Sequence, residues 1–136
     1  MSRIVTMTLL TSTLLLANAY TKADRIHDMQ TMAEAMGKIQ MGFFYNNNDL
    51  VQEGSLTLSD TIRRVKPPLE EEEEKDPMTR FMNNKVRMSE KIVKKIDNKA
   101  AMIIQRFNEG DTHQALQSFS KITEQCMKCH TQLRDW

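Results

Sequence analysis

The chain has 136 residues, 40% of them hydrophobic, which suits one domain with one modest core and argues against a multidomain enzyme. Lys and Arg number 19 against 18 Asp and Glu, so no charge excess supports a nucleic-acid partner. Aromatics are scarce, Gly and Pro number four and three, and Met reaches 11, a composition that predicts an all-α protein.

In chain order, residues 1–19 read as a secretory signal: Arg3, an apolar stretch from Ile4 to Leu16, then the small-residue site Ala17-Asn18-Ala19. A retained anchor is the alternative. The stretch has only 13 residues and is interrupted by Thr6, Thr8, Thr11, Ser12 and Thr13, whereas a span needs about 20. The expectation is an exported, periplasmic protein with no stable membrane insertion after cleavage, whose single domain occupies residues 20–136. Loss of Arg3 with the signal leaves 18 basic and 18 acidic residues.

Periodicity predicts four helices and no strand. The first runs from about Lys22 to Tyr45, with Ile26, Met29, Ala33, Met36 and Phe43 on one face and His27, Gln30, Glu34 and Lys38 on the other. Asn46-Asn47-Asn48 stops it. A capping box of Asp49 and Gln52 opens the second, which carries Leu50, Leu58, Ile62 and Val65 and ends near Lys66, before Pro67-Pro68. The stretch from Leu69 to Asp76, with consecutive glutamates Glu70 to Glu74, is too charged to pack and reads as a solvated connection, with partner docking the weaker role.

Asp76-Pro77 starts the third helix, which continues through Met82, Val86, Val93, Ile96, Ala100, Ile103 and Phe107 to Asn108, before Gly110. Asp111 and Gln114 form a further capping box for a fourth helix, with Leu116, Phe119, Ile122, Cys126, His130 and Leu133 along one stripe. Short connections between amphipathic helices predict an antiparallel up-and-down four-helix bundle.

The chemistry lies in Cys126-Met127-Lys128-Cys129-His130. Positions i, i+3 and i+4 put both cysteines and the histidine on one face of the last helix. This is a c-type haem attachment motif: two thioethers tether the porphyrin and the imidazole of His130 binds iron. A thioredoxin-like redox pair would need a strand-helix-strand setting. Structural zinc would need two more ligands, and the remaining histidines, His27 and His113, are distant in sequence. Helical geometry disfavours a structural disulfide between the cysteines.

Six residues follow His130, so a protein-supplied sixth ligand must lie upstream. In an up-and-down bundle the end of the fourth helix lies beside the start of the first, which brings Met29 level with His130. Met32 competes with it; Met36 lies about 10 Å further along the axis. All three methionines also form a stripe of the kind that fills cores, so a haem with no sixth protein ligand stays open. His27 projects away from Met29, and His113 lies about 25 Å from His130 along its helix.

With these residues in hand, the chain resembles the cytochrome c-prime family, class II c-type cytochromes whose C-terminal CxxCH sits in a four-helix bundle. The resemblance covers the whole mature chain. It rests on Arg25 four residues before Met29, and on Cys126, Cys129 and His130 followed by Arg134; Leu133 departs from the aromatic common at that position. The resemblance implies one covalently attached haem c and its iron, with Arg25 near a propionate, Arg134 near the proximal side and Met29 as distal ligand. A distal methionine goes with a low-spin electron carrier that exchanges electrons with redox partner proteins and turns over no substrate. An apolar distal residue goes with five-coordinate cytochromes that bind nitric oxide, which is the alternative function. A homodimer is left open.

Overall fold

Thr21 caps the first helix. In this computed structural model, which describes residues 20–65, 76–78 and 84–132, its hydroxyl accepts from the Asp24 amide at 3.2 Å while the Asp24 carboxylate accepts from the Thr21 amide at 2.8 Å. The reciprocal box satisfies two orphan donors, and helix α1 follows over Lys22–Tyr45, the predicted span. Asn46, in the left-handed conformation at φ 48°, ends it, and Asn47 donates to the Gly42 carbonyl at 2.8 Å.

Helix α2 (Asn48–Ile62) starts earlier than its predicted capping box. The cap is Asn47, whose side-chain oxygen accepts from the Leu50 amide at 3.1 Å. Because Asn46 makes the reversal by itself, Asn47 is free in an extended conformation to cap, and Asp49 falls in the first turn, where its charge complements the helix dipole. The helix ends at Ile62, four residues short of Lys66, and Arg63 and Arg64 form a turn.

At Asp76 the side chain accepts from the Met78 amide at 3.3 Å, as an N-cap would. Helix α3 is described over Asn84–Asn108 and helix α4 over Thr112–Gln132. Between them Gly110 sits at φ 78°, and the Asp111 amide donates to the Arg106 carbonyl at 2.8 Å while the Gly110 amide donates to Phe107 at 3.0 Å, a Schellman ending. Since that ending uses the Asp111 amide, only half of the predicted capping box forms: the Asp111 carboxylate accepts from the Gln114 amide at 3.1 Å. The signal segment, the glutamates 70–74, Met82, Leu133 and Arg134 lie outside the described residues.

The described residues are all-helical. Helix α1 packs on α2, α2 on α3 and α3 on α4. Two glycines make the first contact close. A Cβ on Gly42 would come within 2.6 Å of the Val51 side chain, and one on Gly54 within 2.8 Å of the Ala35 carbonyl. The core includes Met32, Ile39, Val51, Leu58, Ile96, Ala100, Ile103, Ala115 and Ile122, with Phe43 tilted against Phe107 and edge-on to Phe119.

This core uses a different stripe of α1 from the predicted one. Asp28, Met32, Ala35, Ile39 and Gly42 are buried, whereas Ile26 is 43% exposed. The predicted stripe of Met29, Ala33 and Met36 is rotated about a quarter turn, out of the α2 contact. In α4 the inward positions are Ala115, Ser118 and Ile122, and Leu116 is exposed. No helix among the described residues is long and apolar enough to cross a membrane.

Candidate cofactor site

What the rotated stripe of α1 faces is a cavity of about 510 Å³ between α1 and α4, floored by α3 and the end of α2. That volume lies within the range of small-molecule and cofactor sites. Met29, Met32, Ala33 and Met36 line it from α1, and Phe119, Cys126, Cys129 and His130 from α4. Ile62 and Val65 close one end, while Ile92, Val93 and Ile96 form the floor. Polar groups are few: Gln40, Ser89 and Thr123 beside the histidine. Beside the cavity, α1 and α4 meet through the edge-on contact of Phe43 with Phe119.

The α4 spacing brings both cysteines and His130 to the cavity, while Met127 and Lys128 point outward. The two cysteines form no disulfide and are half-buried. Burial, with the neighbouring Cys129, pushes the Cys126 thiol above its ordinary pKa. A thiol-redox pair needs the opposite shift, toward thiolate, so the surroundings of Cys126 argue against that role. Among the described residues no three His, Cys, Asp or Glu side chains converge to hold a metal ion by themselves.

Of the predicted distal candidates, the fold brings Met29 and Met32 to the same cavity, and Met36 with them. Met32 is also part of the core, at 8% exposure, whereas Met29 is only half-buried against it. His27 and His113 are exposed and lie away from the cavity.

Arg25 is not among the lining residues. Its guanidinium lies 6.0 Å from the Tyr20 ring centroid, and its buried Nε has no hydrogen-bond partner. Tyr20 in turn donates from its phenol to Asp28 at 2.9 Å, and the buried Asp28 accepts from Arg64 at 3.0 Å. Burial, reinforced by the hydrogen bond to Asp28, pushes the Tyr20 phenol well above its usual range. This network ties the start of α1 to the end of α2 beside Met29. Arg134 lies outside the described residues.

Sequence reasoning missed Gly37. It lines the cavity from the middle of α1, and a Cβ built there meets nothing within 4 Å. Glycine in a helix interior costs about 0.5–1 kcal/mol relative to alanine, and at Gly42 and Gly54 close packing requires it. At Gly37 no neighbouring atom does. Gly37 is exposed at the mouth of the cavity, so the space beside it is open to solvent and leaves room for a group seated against α1. The signal in the sequence was a glycine inside a strong helical period, adjoining Met36.

No protein-family model, curated protein or solved structure matches the chain. The site's chemistry is therefore argued from its own residues. An apolar cavity with two thiols and an imidazole on one wall and thioethers on the other, and with a bare backbone position at Gly37, fits a large, flat, mostly apolar cofactor bound covalently at α4.

Proposed function

We propose that this chain is an exported monohaem c-type cytochrome of the cytochrome c-prime kind, an antiparallel up-and-down four-helix bundle that serves as a periplasmic one-electron carrier. The observation that carries the proposal is that Cys126, Cys129, His130 and Met29 line one apolar cavity of about 510 Å³. The haem, when bound, supplies a one-electron couple between ferric and ferrous iron.

The remaining work falls to the chain. Cys126 and Cys129 would hold the porphyrin through thioethers, and His130 would supply an imidazole to its iron. Met29, on the opposite wall, supplies a neutral thioether that favours ferrous iron and so raises the potential relative to a bis-imidazole site. Met36, Ile92, Val93 and Phe119 give the cavity an apolar lining, which lowers the local polarity around a group held there. Arg25, one turn before Met29 but outside the cavity lining, is the residue that the family resemblance assigns to a carboxylate of the cofactor.

The test is the absorption spectrum after expression with haem-attachment machinery. A low-spin ferric spectrum is expected, and Met29→Ala should convert it to high-spin while Met32→Ala leaves it low-spin. A wild-type protein that is high-spin and, once reduced, binds carbon monoxide or nitric oxide rapidly would establish the gas-binding alternative. Cys126→Ala/Cys129→Ala should leave no haem that survives acid–acetone extraction. A colourless wild-type product would sink the proposal.

A further inference from the structure

The net charge of +1 conceals a strong segregation along the chain. Helix α3 carries Lys85, Arg87, Lys91, Lys94, Lys95, Lys99 and Arg106 against only Glu90 and Asp97. Asp97 is turned to α2, where it accepts from Ser59 and Arg63. Arg87, Lys91, Lys95 and Lys99 stand four residues apart, so they form one ridge, and twelve residues of helix span about 18 Å.

That ridge borders the α3–α4 junction. Arg87, Lys91 and Lys95 line a groove of about 410 Å³ with Lys128 on its α4 side, and Lys99 continues into the next groove beside Lys121. Among the described residues none of Lys91, Lys95 and Lys128 makes an ion pair, whereas Lys121 is paired with Glu124 at 3.1 Å. Three like charges, Lys91, Lys95 and Lys128, held together without an ion pair among the described residues disfavour the fold, and an opposite charge brought to them relieves it. Ile92 lines this groove on one side and the cofactor cavity on the other, and Lys128 directly precedes Cys129. A partner seated on the ridge is thus separated from the cavity by a single helix wall.

We propose that the α3–α4 ridge of Arg87, Lys91, Lys95 and Lys128 is the docking surface for an acidic redox protein, which exchanges electrons through the Ile92 wall. Its length exceeds that of a small anion and suits a patch of protein–protein size. Nucleic acid is disfavoured because the grooves contain no aromatic side chain on which a base could stack. The electron-exchange part rests on the haem reading above; the docking part does not.

The experiment uses an acidic plant-type [2Fe–2S] ferredoxin as probe. Its reduction of the haem-loaded protein should slow at least about tenfold as salt rises from about 0.01 M to about 0.15 M, because the Debye length shortens from about 30 Å to about 8 Å. Lys91→Gln/Lys95→Gln should slow the low-salt rate about fivefold or more, whereas the exposed pair Gln30→Glu/Gln52→Glu, with the same change in net charge, should change it less than about twofold. Backbone NMR shifts on ferredoxin addition, read with or without haem, should map to α3 and the end of α4. Equal effects of the two variants, a salt-independent rate, shifts mapping elsewhere, or an oligothymidylate binding the ridge as tightly as ferredoxin would each overturn the proposal. A protein that acquires no haem when expressed with haem-attachment machinery, yet whose α3 amides still shift, would keep the docking surface and refute the electron-carrier function instead.

Discussion

Gly54 and Gly37 are both helical glycines, yet a methyl group would have opposite effects at the two. At Gly54 it would meet the Ala35 carbonyl at 2.8 Å and the Ile39 side chain at the same distance, and neither the backbone nor a fully buried Ile39 can yield cheaply. Gly54→Ala is therefore expected to destabilise the chain by about 1–3 kcal/mol in urea unfolding. Gly37→Ala meets nothing, so in the haem-free chain it should stabilise by about 0.5–1 kcal/mol through helix propensity. If a cofactor lies against that backbone, the same substitution should lower covalent haem content, measured as haem absorbance per protein. A haem content unchanged by both Gly37→Ala and Gly37→Leu would remove Gly37 from the site. The motif residues were legible in the sequence because the spacing of Cys126, Cys129 and His130 defines their common face without tertiary information. Gly37 was not, since a glycine needed for packing and one needed for an open space look the same in a sequence.

Among elements, the joint between α2 and α3 depends on one carboxylate. Asp97 accepts from the Ser59 hydroxyl and from Arg63 at 2.9 Å. Partial burial pushes its pKa up, but the hydrogen bonds from Ser59 and Arg63 and the charge of Arg63 outweigh that and leave it below the usual carboxylate range. Its folded pKa thus lies below its unfolded one, so the stabilisation is complete above about pH 4 and is lost as pH falls through the folded value. Asp97→Asn should cost about 1–3 kcal/mol at pH 7, and the deficit should shrink toward zero in acid. Equal deficits at neutral and acid pH would show that the charge does not matter. Helix spans were legible because caps and stops are local: Lys22–Tyr45 was read correctly, and Gly110 ended α3 as expected. The start of α2 was misread because three consecutive asparagines, Asn46, Asn47 and Asn48, can each cap or turn, and only the backbone path divides those tasks.

For the whole molecule, the cavity is the feature with the largest consequences. An apolar cleft of about 510 Å³ between α1 and α4 leaves its lining side chains without protein partners on one side. A haem-free Cys126→Ala/Cys129→Ala variant is expected to keep its helical far-UV circular dichroism, lose near-UV signal and melt at least about 10 °C below the haem-loaded protein. Equal melting temperatures would mean that nothing bound in the cavity contributes to the fold. By itself the sequence determined the all-helical class, most helix boundaries and the common face of Cys126, Cys129 and His130, because these follow from local periodicity, capping and 3.6-residue geometry. The tertiary structure decided which stripe of α1 packs and which lines the cavity, that Met29, Met32 and Met36 all face the α4 motif, and that Lys91 and Lys95 gather with Lys128 one wall away. Those outcomes depend on how one helix rotates against its neighbours, and close approach at Gly42 and Gly54 sets that rotation for α1 through contacts remote in sequence.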